Sequence, residues 1–224
     1  MVHNCKDGFG IQILNNGSLY EGCWSNDLPN GPVRQIYPDG GYYIGEWKDG
    51  KRSNFGVFTS ANGSIFKGNW EDDLPDGEGT EMFADGESYT GNYIKGQKEG
   101  IGVLTFPDGC TYEGTFFENM MHGSGKFTWK DGRSYKGEFA HNCIEGKGLF
   151  KWFGGRKYEG GYINNLKDGE GTFTWSNNAC FTGTFKNGSP EGLGVYKIPN
   201  QNEIKGYWSK DQLISSEISA DNPK

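Results

Sequence analysis

Residues 100–116 read GIGVLTFPDGCTYEGTF. Both ends are rich in Val, Thr, Phe and Tyr, which suit a pleated strand, and Pro107-Asp108-Gly109 lies between them. Pro presets φ at the first turn position, Asp suits the second, and Gly takes the left-handed position that follows. The stretch is a β-hairpin closed by a three-residue loop with a glycine bulge. In that register Phe106 faces Cys110 and Leu104 faces Tyr112. Alternation then puts Leu104, Phe106, Tyr112, Gly114 and Phe116 on one face.

The hairpin recurs. Aromatic–x–Gly–x–aromatic starts at Tyr20, Tyr43, Phe66, Tyr89, Tyr112, Tyr135, Tyr158 and Phe181, every step being 23 residues, and a ninth copy opens with Ile204. A strict period of this size marks a repeat architecture in which each unit buries its apolar face only by stacking on its neighbours. The turn slot holds Pro38-Asp39-Gly40, Ala84-Asp85-Gly86 and Lys130-Asp131-Gly132, weakening to Gly154-Gly155, Asn177-Asn178 and Asn200-Gln201. A second glycine pair, Gly-x-Gly, opens the first strand of most units; Val33 and Asn54 each replace one member, so the second and third units are the least regular.

The position of Phe106 carries Trp129, Trp152 and Trp175 in later units, and that of Leu104 carries Phe127, Phe150, Phe173 and Tyr196. One face is a ladder of aromatics and the other is polar. A glycine between aromatics lets large rings lie over bare backbone, or lets the strand bend. The expected fold is therefore all-β: an elongated, twisted and curled antiparallel sheet of stacked hairpins, roughly 85 Å long at about 4.8 Å per strand. The array spans residues 1–208. In the tail, 209–224, Leu213, Ile214 and Ile218 would share one face of a short capping helix, a disordered tail being the alternative.

Composition narrows the function. Glycine is abundant at 38 of 224 residues but periodic, unlike a low-complexity segment. The net charge of −7 argues against nucleic acid as a partner. Five scattered cysteines with no C-x-x-C, and an opening MVHNCKDGFG without the apolar core of a secretion signal, point to reduced thiols in a cytoplasmic protein. Asn16-Gly17-Ser18, Asn62-Gly63-Ser64 and Asn187-Gly188-Ser189 fit a glycosylation sequon but read better as turns. The three histidines, His3, His122 and His141, have no metal-like spacing, so no metal, cofactor or catalytic set is expected. Asp76, Glu99, Glu145, Asp168 and Glu191 recur one repeat apart, too far to share a cation, and read as a solvated acidic ridge or an edge for a basic partner.

Units such as YIGEWKDG (residues 43–50), YEGTFFENMMHGSG (112–125) and YKGEF (135–139) resemble the MORN repeat (membrane occupation and recognition nexus) in its Y-x-G-x-W/F, G-x-G and D-G elements, over residues 8–208. The resemblance implies a β-array that scaffolds other molecules at cilia, flagella, cytoskeletal collars or membrane junctions. It departs from the family before G-x-G, where His is common and only His122 keeps it.

Two surfaces stand out. The second aromatics, Trp24, Trp47, Trp70, Tyr93, Phe116, Phe139, Tyr162, Phe185 and Trp208, are the candidates for a partner groove, with central rings as core and the rim open. Lys126, Lys136, Lys147, Lys151 and Lys157 form a basic band on the opposite face, a candidate for an anionic partner. The leading reading is a non-enzymatic scaffold that binds a helix or extended peptide of a cytoskeletal or ciliary assembly. The alternatives are a membrane-associated adaptor on acidic phospholipids and a regulatory subunit of an enzyme complex. Open edge strands also allow a homodimer.

Overall fold

The computed structural model describes residues 6–217. Among them are nineteen strands, one 3-10 turn at Phe153–Gly155 and no α-helix. The chain forms two compact units, residues up to 109 with 115–119, and residues 110–114 with 120 onward. The first contains β1 (Gly8–Ile13), β2 (Leu19–Ser25), β3 (Leu28–Ile36), β4 (Tyr42–Lys48), β5 (Lys51–Thr59), β6 (Ile65–Glu71), β7 (Leu74–Met82), β8 (Ser88–Ile94) and β9 (Gln97–Thr105). After β10 (Thr111–Phe117), the second contains β11 (Met120–Thr128), β12 (Ser134–Ala140), β13 (Cys143–Lys151), β14 (Lys157–Ile163), β15 (Leu166–Thr174), β16 (Cys180–Lys186), β17 (Ser189–Lys197), β18 (Ile204–Ser209) and β19 (Gln212–Glu217). Within each unit, every strand is antiparallel to the next.

Two kinds of turn alternate. The three-residue loop has the expected geometry: Phe83 N donates to Glu87 O at 2.8 Å, Gly86 N to Phe83 O at 3.0 Å, and Gly86 takes φ +93°. The Asp or Asn inside the loop accepts from the residue two further on, as Asp85 does from Glu87 N at 3.0 Å. The return connection is a two-residue turn with both φ positive, such as His141 (49°) and Asn142 (68°), or Asn164 (47°) and Asn165 (68°). This is the primed turn whose twist matches that of the flanking strands.

Within each unit, the seven-residue strands β2, β4, β6, β8, β12, β14 and β16 meet the following nine-residue strand with a register shift. Gly45 lies opposite Gly56 but Trp47 lies opposite Arg52, so β5 holds two extra residues there. The first glycine of G-x-G supplies the left-handed backbone of this bulge (Gly77 φ +94°, Gly146 φ +65°), and Asn54, its replacement in one unit, reaches φ 52° as Asn tolerates. The second glycine answers a different demand, set out below.

The return turns also lock repeat to repeat. Asn165 N donates to Ile144 O at 3.0 Å while Ile144 N donates to Asn165 Oδ1 at 2.8 Å. Asp73 and Arg52 make the same reciprocal pair at 3.2 and 2.9 Å. Asn165→Ala is expected to lose about 1–2 kcal/mol, since it removes an acceptor from the Ile144 amide and puts alanine, which tolerates left-handed backbone less well than Asn, at φ 68°. A urea midpoint equal to wild type would contradict this.

The capping helix expected at the C-terminus does not form. Gln212–Glu217 is strand β19, with Trp208 opposite Leu213 and Gly206 opposite Ser216. The cause is local: Lys210 and Asp211 take φ 46° and 67°, the same two-residue turn as in the other units, which sends the chain back along β18. A strand there pairs the outer backbone groups of β18, which a helix would leave open. Ile218, the third residue of the expected helical face, lies outside the described residues.

Candidate functional site

The core is a row of rings held by bare backbone. Tyr43, Tyr89, Tyr112, Tyr135 and Tyr158 are fully buried, and Phe66 and Phe181 nearly so. Each lies across a glycine pair. A Cβ on Gly137 or Gly148 would overlap the Tyr135 ring, and one on Gly160 or Gly171 the Tyr158 ring. The hydroxyls reach past the glycines to backbone: Tyr89 Oη donates to Asn92 O at 3.1 Å and Tyr135 Oη to Glu138 O at 3.2 Å. Where Val33 replaces the second glycine, its side chain is 3% exposed. Tyr20 is then only half-buried, and its hydroxyl accepts from Gln35 Nε2 at 2.7 Å.

The nine second aromatics, expected to line a partner groove, pack between these rings. Tyr43 meets Trp47 at 5.7 Å and Trp70 at 5.3 Å, edge to face; Phe66 meets Trp70 and Tyr93 at 5.1 and 5.2 Å; Tyr89 meets Phe116 at 5.0 Å. In the second unit Tyr135 meets Phe139 and Tyr162 at 5.2 and 5.3 Å, Tyr158 meets Phe185 at 4.8 Å, and Phe181 meets Trp208 at 5.2 Å. Trp24, Trp47, Trp70, Tyr93, Phe116, Phe139, Tyr162 and Phe185 are all buried, and Trp208 is half-buried. They are core rather than rim. The bulge after each glycine turns the second ring inward over its neighbour, which alternation alone does not convey.

Rings that remain reachable on this face sit one step nearer the three-residue loops. In the second unit Phe127, Trp129, Phe150, Trp152, Phe173 and Tyr196 are half-buried, and Trp175 is 36% exposed. They form an unbroken chain of contacts: Phe127–Trp129 at 4.6 Å, Trp129–Phe150 at 5.0 Å, Phe150–Trp152 at 4.2 Å, Trp152–Phe173 at 5.6 Å, Phe173–Trp175 at 4.7 Å and Trp175–Tyr196 at 5.5 Å. The first unit has Gln35 and Tyr37, Phe58 and Ser60, and Glu81 and Phe83 at the same positions, so its ladder is interrupted.

The acidic positions have a structural role. Asp76 Oδ2 accepts from Lys95 N at 3.0 Å, Glu99 Oε1 from Glu118 N at 2.9 Å, Glu145 Oε2 from Asn164 N at 2.9 Å, and Asp168 Oδ2 from Asn187 N at 3.4 Å. Each carboxylate holds the first amide of the next repeat's turn, and Glu191 instead accepts from Ser209 Oγ at 3.2 Å. Asp76, Glu99, Glu145 and Asp168 are thus tied to backbone rather than merely solvated.

The structure brings the basic band together on the outer face. Lys126 lies opposite Lys136 and Lys151 opposite Lys157, while Lys147 stands between on β13; all five are exposed. Elsewhere, His122 and His141 pack edge to face at 5.5 Å. Among the described residues no group of three or more His, Cys, Asp or Glu side chains is set to hold a metal, and Cys23, Cys143 and Cys180 are free thiols.

Comparison with curated protein sequences finds no significant match. Among solved structures, the TCP10 domain of Danio rerio CPAP is similar, with a TM-score of 0.50 at 13% identity over 93% of this chain and 99% of that one. The Drosophila melanogaster SAS-4 TCP domain, solved with a proline-rich motif of Ana2, gives a TM-score of 0.41 at 16% identity over 68% of this chain and 84% of that one. At 13% identity the likeness to the CPAP domain speaks for the fold alone. The MORN repeat profile matches eight consecutive units, at residues 20–42, 43–65, 66–88, 89–111, 112–132, 135–155, 158–180 and 181–203. With that succession in the register of the buried rings and their glycines, the chain belongs to the MORN repeat family.

Proposed function

We infer that this protein is a non-enzymatic scaffold that holds an α-helical or extended segment of a larger cytoskeletal or ciliary assembly. The observation that carries the reading is the half-buried ladder from Phe127 to Tyr196, since contiguous rings left partly open are the usual anchors of protein interfaces. The pitch suits a helix. Two strands advance about 9.6 Å per repeat, close to the roughly 10.5 Å that seven helical residues advance. A helix laid across the strands would meet one Phe–Trp pair per heptad. The test is recovery from native lysate by wild type and by a variant carrying Trp152→Ala and Trp175→Ala, whose fold is first checked by circular dichroism. Loss of a cytoskeletal or axonemal partner in the variant alone is the expected result. Equal recovery by both would remove the ladder as the binding surface, and recovery of no such protein by wild type would remove the assembly.

A second reading has its own observation. Like charges directly opposite in a sheet are destabilising, yet Lys126 faces Lys136 and Lys151 faces Lys157. An anionic surface, such as acidic phospholipid, would offset that repulsion. Flotation with anionic vesicles, abolished by charge reversal at Lys136, Lys147 and Lys151, would support it; no flotation at low salt would end it. The repulsion is separately measurable. Lys136→Glu, which turns one such pair into an ion pair, is expected to stabilise the protein by about 0.2–1 kcal/mol in a denaturant titration.

A further inference from the structure

We propose that Lys167 sets the chemistry of the partner that the ladder holds: the docked segment carries an aspartate or glutamate whose carboxylate pairs with the Lys167 ammonium. The proposal rests on the ladder being the docking surface. Lys167 belongs to β15 and is half-buried. Its Nζ stands 5.0 Å from the centre of the Phe173 ring, a ladder member, and 5.5 and 5.3 Å from those of Tyr158 and Phe185 in the buried core. Ring faces attract a cation, but they do not accept its three N–H groups as a carboxylate does.

Two other repeats place a half-buried cation at this position, and both cations are paired. Arg52 lies over Tyr43 and Trp70, at 5.6 and 4.4 Å from the ring centres, and donates from Nε to Asp73 Oδ1 at 3.2 Å. Lys98 lies over Tyr89 at 5.1 Å, with Glu81 Oε2 at 3.9 Å. Stepping by the repeat, the residues that stand for Asp73 and Glu81 beside Lys167 are Gly188 and Phe150. Both carboxylates are gone, and Phe150 is itself a ladder member. Among the described residues Lys167 Nζ has neither an ion pair nor a hydrogen bond to the protein. Burial holds its ammonium below the usual lysine range, and Asp211, which accepts from Ser189 Oγ at 3.0 Å, offsets this only in part. An ammonium set against rings without a carboxylate has the most to gain from an acidic partner.

The distribution of charge agrees. The ladder positions from Phe127 to Tyr196 hold no carboxylate, whereas the first unit has Glu81 at one of them. Residues 1–109 carry 8 Lys and Arg against 16 Asp and Glu, while residues 110–224 carry 14 against 13. An acidic segment is therefore disfavoured along the first half and admitted along the second, where the aromatic anchors are contiguous. A segment without an acidic residue would cover Phe173 and leave the Lys167 N–H groups with neither water nor an acceptor, at a cost in affinity.

The probe is a phage-displayed library of random peptides of roughly 16 residues, about 24 Å as a helix and so more than two repeats long, selected on the full chain. Selected clones are expected to combine apolar residues with an Asp or Glu at one fixed position. The strongest clone, made as a fluorescein-labelled peptide, is then titrated by fluorescence anisotropy. Replacing its acidic residue by the matching amide should weaken binding to wild type at least about tenfold and leave binding to Lys167→Met unchanged. Lys167→Arg, which keeps the charge, should keep the preference for the acidic peptide. Clones that are lost on Trp152→Ala with Trp175→Ala but show no acidic preference would overturn the proposal and leave the ladder in place. Clones indifferent to that pair, or no clones at all, would remove the ladder as the docking surface and the proposal with it. Failure of Lys167→Met to fold, by circular dichroism, would show that the ammonium is needed within the chain and overturn the proposal too.

Discussion

Gly148→Val should destabilise the protein by about 3 kcal/mol or more, among the largest effects expected of a single substitution here. Gly148 faces Gly137 across the β12–β13 pair, and the Tyr135 ring lies over both. The ring has nowhere to go. It is fully buried, wedged edge-on against Phe139 and Tyr162, and its hydroxyl donates to Glu138 O at 3.2 Å. The backbone has no more freedom, because β13 is hydrogen-bonded on both sides. Tyr135→Ala alone should cost about 3–5 kcal/mol as a core truncation. The two changes together should cost clearly less than their sum, since valine then enters space the ring has left; a coupling above about 1 kcal/mol is expected. Gly132→Ala is the control: it adds the strain of a side chain at φ +86°, which Gly148 does not have, but meets nothing within 4 Å, and should cost only about 1 kcal/mol. Full additivity in urea titrations of this set would mean that the glycine is there for flexibility rather than for the ring.

That contrast marks what the sequence makes legible. The 23-residue register, the three-residue loops and the pairing of Leu104-type with Tyr112-type positions follow from turn chemistry and alternation, both local, and the structure has them, as in Phe58 opposite Phe66. The role of the glycine between the aromatics, such as Gly137, was likewise readable, because a ring two residues away on the same face needs bare backbone beneath it; that of Gly148, which lies under the same ring from the neighbouring strand, was not. The partner row was less so. Trp47, Trp70 and Tyr93 alternate correctly onto the aromatic face, but whether a ring on that face is core or rim depends on the bulge two residues earlier, which adds residues to the neighbouring strand. The half-open ladder was visible as a row of Phe and Trp, without a local reason to prefer it to the buried row.

The return turns carried a signal that went unread. Their second position is Asp27, Gly50, Asp73, Gly96, Asn119, Asn142, Asn165, Gly188 and Asp211, always a residue that tolerates positive φ. Applied to Asp211, the same rule predicts a hairpin where apolar spacing suggested a helix. The acidic ridge shows a different limit. Glu99 and Glu145 look solvated in sequence because their partners, the amides of Glu118 and Asn164, lie 19 residues away and belong to backbone rather than to any charged side chain.

The fold should also fail cooperatively in alkali, between about pH 10 and pH 12. Burial pushes the phenols of Tyr89, Tyr135 and Tyr158 up to about 12, and raises those of Tyr43, Tyr93 and Tyr162 further. For Tyr93 the carboxylate of Glu81, which accepts from its hydroxyl at 3.0 Å, adds to the effect of burial. An unfolded tyrosine ionises near 10. Below that pH both states hold the proton, and the contribution of these rings is complete. Above it the unfolded chain releases protons that the folded one keeps, so each such tyrosine removes up to about 1.4 kcal/mol of stability per pH unit until its folded pKa is passed. The rings are contiguous through the edge-to-face contacts of each unit, so ionising one exposes its neighbours. Phenolate absorbance near 295 nm should rise in step with the loss of circular dichroism, and Tyr135→Phe, which cannot ionise, should move the transition to higher pH relative to its own neutral-pH stability. Gradual ionisation of every tyrosine around pH 10 with the circular dichroism intact would show that the row is open to water, and the packed core described above would not survive that result.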